Sequence, residues 1–296
     1  MKTKTSLLII YLSTSLLASG SVLAEDKPEE ESEPLVSEEF ISRPVLNVVE
    51  LGVGYISDDA YRFGRYNGMQ SQGAFVVGDI KIREFLEDGH FWSIRGTNLG
   101  LESRYLRVEG GVQGSHEFFL EYDELPNYKD DTVETPFSGV GSNNLTLPSG
   151  FDINDMDDLN SFELKTRRER IKAGASFIPE EHWELGKDHW QFDIDFSHEN
   201  KKGVDATGAA IANGDFQVVG NTTTSLLPEP VDQDTDQVNA TLSYDGSDGQ
   251  VDLKYHMSIF DNNNDSLSWQ DPFNPASATG SMSLAPDNEF HQLSLI

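Results

Sequence analysis

The clearest pattern in the chain is a strict alternation of side chains in residues 116–126, HEFFLEYDELP. One set of alternate positions holds His116, Phe118, Leu120 and Tyr122, and the other holds Glu117, Phe119, Glu121 and Asp123. A period of two is typical of a β-strand with one apolar and one polar face. The pattern stops at Pro126, and the sequence predicts a loop from 124 to 160.

Nine other segments show a similar alternation, so the sequence predicts about ten strands. Each is roughly as long as a tilted strand needs to be to cross a bilayer, which takes about 9–11 residues. In chain order the predicted strands are 49–55, 74–83, 91–99, 103–111, 116–123, 168–178, 190–199, 238–244, 251–259 and a last one that starts near 290.

Aromatic residues begin or end several of the apolar faces. They are Tyr55, Tyr122, Phe177, Trp190 and Tyr244. This placement fits the interfacial girdles of a transmembrane barrel, although soluble β-sandwiches also place tyrosine at strand ends. The girdles therefore favour a barrel without excluding a sandwich.

The lengths of the connections are an independent indication of a barrel. Outer-membrane barrels have short periplasmic turns and long external loops. With a periplasmic amino terminus, long loops must follow odd-numbered strands, and they do so at 57–71, 124–160, 200–234 and 262–288, whereas 245–249 (DGSDG) is a tight inner turn. This count requires that 216–227 (FQVVGNTTTSLL) is an external loop and not a strand.

The amino-terminal segment resembles an export signal followed by an acidic lead-in. Residues 1–24 have a positive start, an apolar run and a small-residue cleavage site, which predicts a signal peptide. Residues 25–44 are acidic and rich in proline, and we expect a disordered periplasmic segment. Residues 45–296 then form a partial barrel, because the chain stops inside a strand. We expect the amino-terminal portion of a longer outer-membrane protein of a Gram-negative bacterium.

Charge and cysteine content exclude several functions. The net charge is −30, and it becomes −32 without the two lysines of the predicted signal peptide. Such a chain should repel nucleic acid and anionic lipid headgroups, so polyanion binding is not expected. The chain has no cysteine, which excludes disulfides, thiolate metal sites, iron–sulfur ligation and covalent c-type haem attachment.

The sequence contains no recognisable catalytic or metal-binding motif. It has neither H-E-x-x-H nor G-x-S-x-G, and 139–144 (GVGSNN) lacks the lysine of a phosphate loop. Two acidic loops, NDMDD at 154–158 and DNNND at 261–265, have a calcium-loop composition, but they lack the glycine and distal glutamate of an EF-hand. We expect solvated loop acids, no metal site and no enzyme.

The polar faces of the strands are the candidate functional surface. In a barrel they point into the lumen, where they line water or contact an enclosed protein, and in a half-exposed sheet they are simply solvated. The candidate residues are Asp79, Lys81, Arg83, Arg107, Glu117, Glu121, Arg170, Lys172, Asp193, Asp195, Lys254 and His256. We expect four of the acidic residues, Glu117, Glu121, Asp193 and Asp195, to pair with lysines of an enclosed partner.

Several longer phrases resemble one family. They are GGVQGSHEFFLEYDELP, TPFSGVGSNNLTLP, EPVDQDTDQVNATLSYDG, SIFDNNN, PFNP and GSMSLAPDNEFHQLSL. They are similar to the amino-terminal half of the MtrB/PioB family of decahaem-cytochrome-associated outer-membrane proteins. The resemblance implies an antiparallel transmembrane barrel of more than twenty strands that sheathes a periplasmic multihaem c-type cytochrome. Electrons then cross the outer membrane through the partner's haems, often to an extracellular multihaem protein, and the barrel itself binds no cofactor.

The chain departs from this family in two respects. Members from metal reducers can carry C-x-x-C near the mature amino terminus, which is missing here, and the family's barrel is more than twice as long. The main alternative is a wide diffusive porin or solute channel, and the third is an outer-membrane enzyme. Neither the identity of the cytochrome nor the terminal electron donor or acceptor follows from the sequence.

Overall fold

The structure is a computed structural model that describes residues 7–15, 47–153, 159–179, 188–212, 222–273, 276 and 279–296. All fourteen regular elements in these ranges are β-strands. Within the same ranges, no helix is long and apolar enough to cross a membrane.

The strands are numbered in chain order. They are β1 (Leu7–Ser15), β2 (Val48–Ile56), β3 (Gly73–Phe85), β4 (His90–Leu99), β5 (Tyr105–Val112), β6 (His116–Thr135), β7 (Asn144–Leu145), β8 (Asn160–Phe177), β9 (His189–Ala212), β10 (Thr222–Gly246), β11 (Gly249–Asn262), β12 (Ser266–Gln270), β13 (Thr279–Ser283) and β14 (Asn288–Leu295).

One large antiparallel sheet contains eleven of these strands in the order β1-β2-β3-β4-β5-β6-β8-β9-β10-β11-β14, and a small three-stranded sheet contains β13, β12 and β7. The ten strands from β2 to β14 in the large sheet match the ten predicted ones, so the predicted all-β antiparallel fold is confirmed. The sheet is open in the described residues, since β1 and β14 pair with β2 and β11 and not with each other.

Strand β1 lies inside the predicted signal peptide. Its residues pair with β2 from Leu7 opposite Ile56 to Ser15 opposite Val48. Cleavage after residue 24 stays a prediction, and the acidic lead-in at 25–44 lies outside the described residues.

The strand register places the apolar alternation of the ten strands of the large sheet from β2 to β14 on one face. One row across the sheet reads Val108, Leu120, Ala173, Phe196, Val238 and Met257. These side chains are not covered by a protein layer, because Phe118 and Leu120 are 59% and 56% exposed. A continuous exposed apolar face of this width is typical of a surface that contacts lipid.

The connections follow the predicted alternation in length only in part. At one end of the sheet the turns are short, at 86–89, 113–115 and 247–248, and this is called the short-turn end. At the long-loop end lie the connections 57–72 and 136–159 and the segment 263–287 that contains β12 and β13. The predicted pairing of long connections with odd-numbered membrane strands holds for these three only. The connection 100–104 after β4 is short, 178–188 is a longer connection at the short-turn end, and the predicted loop 200–234 was wrong for the most part, because β9 reaches Ala212 and β10 begins at Thr222.

The predicted end of the fifth strand at Pro126 was wrong, because β6 continues to Thr135. The backbone N–H groups of Glu124 and Tyr128 donate to the carbonyl oxygens of Arg104 and Arg65, each over 2.9 Å. Alternate N–H groups of a strand point to the same side, so the N–H that Pro126 lacks would also have pointed away from β8. Proline therefore removes no hydrogen bond between β6 and β8.

The prediction that 216–227 is entirely loop was also wrong. Residues 222–227 belong to β10, which pairs with β9 as far as Thr222 opposite Ala212, while 213–221 lie outside the described residues. Pro228 and Pro230 are compatible with the strand because β10 has only β9 as a ladder partner there, and pairing with β11 starts at Gln233. Proline is tolerated on such an edge.

The long-loop end has its own hydrophobic core, which we call the cap. It consists of the outer ends of β9 and β10 with β7, β12 and β13. Its side chains are Phe137, Leu145, Ala209, Leu227, Leu267, Trp269 and Leu284. Phe137, Leu145, Leu227 and Leu267 are fully buried. The cap is stabilised as a water-soluble domain is, by apolar burial.

Substitution of Leu227 by alanine should destabilise the cap by about 3 kcal/mol, because it leaves a cavity in a closed core. The neighbouring Leu226, which is 50% exposed, is the matched control, and Leu226→Ala should cost less than about 1 kcal/mol. Hydrogen exchange of β12 amides in detergent micelles measures the difference. Equal effects of the two substitutions would contradict a packed cap.

The ion pair between Lys129 and Asp205 at the long-loop end should make the stability of this region depend on pH. Burial raises the pKa of Asp205, but hydrogen bonds from Lys129 Nζ (2.6 Å) and the Ala206 N–H (2.8 Å) outweigh it and hold this pKa below its usual range. Its stabilisation is thus present above the unfolded pKa of about 3.9 and is lost as the pH falls through the lower folded pKa.

Acidification below about pH 4 should therefore loosen the extensions of β6 and β9 by up to about 1 kcal/mol. Hydrogen exchange compared at pH 5 and pH 3 should show faster opening there at pH 3, after correction for the intrinsic exchange rate. Asp205→Asn should reduce this pH dependence, and Asp248→Asn in the turn 247–248 should leave it unchanged.

Candidate functional site

The candidate site is the polar face of the large sheet, opposite the exposed apolar face. The register places all twelve residues predicted from the sequence on this one face: Asp79, Lys81, Arg83, Arg107, Glu117, Glu121, Arg170, Lys172, Asp193, Asp195, Lys254 and His256. Their contact with a cytochrome stays a prediction.

Arg107 is the centre of the first charge cluster on this face. Its guanidinium lies 2.8 Å from a carboxylate oxygen of Glu109 and 3.2 Å from one of Glu121, and it covers the Phe119 ring at 4.0 Å. Glu121 also accepts a hydrogen bond from the Tyr105 hydroxyl over 3.0 Å. Such a multiply bonded arginine holds its neighbours in fixed positions.

A second cluster continues from β8 to β11. Lys172 Nζ lies 3.0 Å from Asp195, which also accepts a hydrogen bond from the Asn239 amide over 2.9 Å. The Asn239 side-chain oxygen lies 2.7 Å from His256 Nδ1. Because Lys172 also lies 5.8 Å from the Phe119 ring, the two clusters meet at Phe119 and form a belt across the sheet.

Other charged residues on the face have no oppositely charged partner. Lys81, Arg95 and Arg107 lie directly opposite one another on β3, β4 and β5, so three cations form a row. Within the described ranges, Lys81 and Arg95 have no acidic group within 4 Å, in contrast to Arg107. Like charges that face each other across a sheet are destabilising, so this row has an energetic cost.

Two acids of the face also retain free charge. Glu117 and Asp193 flank Ser176 in register near the short-turn end. The nearest cation to Glu117 is Arg107 at 3.9 Å, and Asp193 accepts a hydrogen bond only from the neutral Gln191 in the part of the chain that is described. Beside them lies a cavity of about 470 Å³ lined by residues that include Arg83, His116 and Glu117.

The structure therefore divides the predicted residues into two groups. Glu121, Asp195, Arg107, Lys172 and Arg170 are bonded within the sheet, whereas Lys81, Glu117 and Asp193 present their charge outward from the face. Arg83 lies over the rings of Phe85 and Phe91, at 4.8 and 5.7 Å. Asp79 accepts the backbone N–H of Asn98, and Lys254 pairs with Asp252 over 3.2 Å.

Sequence reasoning missed Arg95, Glu109, Asp123 and Asp252 on the same face. Arg95 and Glu109 lie in the two segments with the weakest alternation, 91–99 and 103–111. The alternation of side chains in the sequence could have identified Arg95, because Trp92, Ile94 and Gly96 lie on the apolar face and Arg95 therefore lies on the polar face.

The acidic loops show no metal site in the described residues, which contain no group of three or more potential His, Asp or Glu ligands. In DNNND, the Asn262 N–H donates to Asp287, and the Asn262 amide donates to the Ala285 carbonyl, so Asn262 closes the loop by hydrogen bonds. The second acidic loop, NDMDD at 154–158, lies outside the described residues.

Comparison with known proteins identifies the family. Residues 55–296 match the family described as "Putative outer membrane beta-barrel porin, MtrB/PioB". The chain belongs to the MtrB/PioB family. It is 31% identical over 260 residues to the outer membrane protein MtrB of Shewanella baltica (strain OS185), an alignment that covers 84% of this chain and 35% of the relative. The chain thus spans about a third of the length of that relative.

Membership in the MtrB/PioB family confirms the resemblance drawn from the sequence and assigns the sheet to an outer-membrane barrel. In such a barrel the exposed apolar face contacts lipid, and the polar face lines the lumen. The general rule for these barrels makes the short-turn end periplasmic and the long-loop end extracellular. The cap then lies outside the cell.

Removal of the Arg107 charge should destabilise the barrel sheet, because Glu109 and Glu121 would remain half-buried without their cation. Arg107→Gln should cost about 2 kcal/mol. Arg95→Gln removes the same side chain from the opposite position on β4, where no acid is bonded, and should cost less than about 0.5 kcal/mol. Urea unfolding in micelles measures both. Equal costs would show that the ion pairs of Arg107 do not contribute.

Proposed function

We propose that this chain forms part of an outer-membrane wall that encloses a periplasmic multihaem c-type cytochrome and holds it across the bilayer for electron transfer. The observation that carries the proposal is the polar face itself, on which a fixed belt of ion pairs alternates with charges that have no partner in the sheet. The resemblance to MtrB/PioB proteins supplies the kind of partner.

The width of the sheet supports a lumen large enough for a protein. Barrels of about eight strands are filled by their own side chains, whereas barrels of 16 or more enclose a channel or a plug. Here ten membrane strands already lie in one open sheet, and the MtrB relative is nearly three times as long as the aligned part of this chain.

The free charges are the groups best suited to contact the cytochrome. Glu117 and Asp193 fit lysines of a partner, and Lys81 and Arg95 fit its carboxylates. Glu121 and Asp195 are already bonded in the sheet, so the structure narrows the expected acidic contacts to two of the four. Such contacts set the orientation of the partner more than they raise its affinity.

In this proposal the wall holds the partner's haems in position across the bilayer and surrounds them with a low-dielectric layer. The partner contributes all redox chemistry. The chain has no cysteine, so haem bound through C-x-x-C-H must belong to another protein. The apolar outer face keeps the wall in lipid, and the belt around Arg107 and Lys172 keeps the lumen surface rigid. An extracellular multihaem protein that receives or supplies the electrons would be located on the cap side.

A wide porin is the second candidate, and the description of the matched family as a porin favours it. The row Lys81–Arg95–Arg107 would then act as a charged ring segment that selects solutes. The two candidates differ in one property: a porin conducts without a partner, and a sheath retains a haem protein.

We expect haem absorbance to decide between the two candidates. The protein, tagged near Lys27 and expressed from its intact genomic reading frame, should co-purify with c-type haem from native outer membranes in mild detergent. Protein without haem that conducts in planar bilayers would contradict the sheath and support the porin.

Charge reversal at the free acids tests the contact residues separately. Glu117→Lys with Asp193→Lys should reduce the retained haem at least about fivefold in 0.3 M salt, because the new cations repel lysines of the partner. The control Glu84→Lys with Asp261→Lys makes the same charge change on the opposite face of the sheet. Unchanged retention in the first variant would exclude these contacts and leave the sheath itself intact.

A further inference from the structure

A basic hollow lies on the outward surface at the extracellular end of β8 and β9. It has a volume of about 360 Å³ and is lined by Glu163, Lys165, Arg167, Lys202, Gly203 and Val204. The lining side chains of β8 have the same parity as Ile171, which is exposed on the lipid-facing surface. The hollow therefore opens toward the outer leaflet and not toward the lumen.

Three cations converge on this hollow in a chain whose net charge is −30. Arg167 and Lys202 lie directly opposite each other, and Lys165 is opposite Val204 in the next outward pair. Two like charges in register repel each other, which raises the energy of the empty hollow. Lys165 is held in place over the Tyr128 ring at 4.3 Å.

Nearby carboxylates form ion pairs with two of these cations. Arg167 lies 2.8 Å from Glu169 and 3.4 Å from Glu124, and Lys202 lies 3.6 Å from Asp232. Glu163 is the one acid among the residues that line the hollow. The side chains of Arg167 and Lys202 remain 49% and 62% exposed, so their remaining N–H groups are accessible from the membrane side.

The height of the hollow matches the headgroup layer. Ile171 is the last apolar outward residue of β8, and Arg167 lies four residues beyond it toward the extracellular end. Four residues span about 13 Å along a strand, or about 10 Å along the axis of a barrel with tilted strands. The polar headgroup region adds about 5–7 Å to each side of the hydrocarbon core, so Arg167 lies at its outer boundary.

We propose that this hollow, formed by Lys165, Arg167 and Lys202, binds a phosphate group of the phosphorylated glycolipid in the outer leaflet. Arginine and lysine together provide charge-assisted hydrogen bonds to phosphate oxygens. A bound phosphate also relieves the repulsion between Arg167 and Lys202. The site fixes the barrel in the outer leaflet beside the strands that continue into the cap.

The test uses the full protein purified from native outer membranes and then stripped of lipid. Binding of lipid A is measured in micelles against lipid A from which the phosphates have been removed, with inorganic phosphate as a further probe. The wild type should bind phosphorylated lipid A at least about tenfold more tightly than the dephosphorylated form. Equal binding of the two lipids would overturn the proposal.

Neighbouring residues provide a matched pair of variants. Arg167→Gln with Lys202→Gln removes two outward cations, and Arg168→Gln with Lys201→Gln removes two cations of opposite parity on the same strands. The outward variant should lose about tenfold in affinity for lipid A, and the lumenal variant less than about twofold. Similar losses would mean that overall charge alone attracts the lipid, and this would overturn the site.

Two further measurements control for misfolding of the variants and identify the source of the phosphate. The charge-conserving variant Arg167→Lys with Lys202→Arg should fold and retain most of the binding, which separates loss of charge from loss of structure. Millimolar inorganic phosphate should compete only weakly if the lipid is the ligand. Complete displacement by inorganic phosphate would overturn the lipid assignment in favour of a free-phosphate site.

Discussion

The whole structure depends on the register of antiparallel hydrogen bonds from β2 to β14, which in the described residues shifts only at Gly78–Ile80 and between Tyr128 and Val133. In lipid a strand must satisfy its N–H and C=O groups within the sheet, because the hydrocarbon offers no partners. The same register decides which side chains share a face, so a shift of one residue in any strand would move its polar residues into lipid. Backbone pairing and the division into an apolar and a charged face are therefore one constraint.

The surroundings of the sheet change from lipid to water along its strands, and the interactions that stabilise the sheet change with them. In the membrane the polar face is ordered by the ion pairs of Arg107 and Lys172, whereas at the extracellular end the cap buries Phe137, Leu145 and Leu267 as a soluble domain does. The long β9 and β10 strands pass through both regions. They connect the lumen surface mechanically to the outside of the cell.

The sequence predicted the membrane part well because one face of each strand contacts lipid, and that requirement leaves a period of two. The prediction failed beyond Pro126 and at 222–227 because no bilayer imposes a period of two on those residues. Prolines are also tolerated there, because the strand edges on which they lie have no hydrogen-bonded neighbouring strand. Parity located the twelve polar residues on one face. It did not show that Arg107 lies 3.2 Å from Glu121 but 3.9 Å from Glu117, because these distances depend on cross-strand neighbours that only the register defines.

If the lumen encloses a partner as proposed, the row of Lys81, Arg95 and Arg107 couples that occupancy to the stability of the wall. The mutual repulsion of these cations raises the free energy of the empty barrel, and an acidic surface placed beside them lowers it. By mass action, a partner that binds only the folded wall stabilises it. An empty barrel should then be the more easily unfolded species, and the supply of the partner would regulate how much of the wall persists in the membrane.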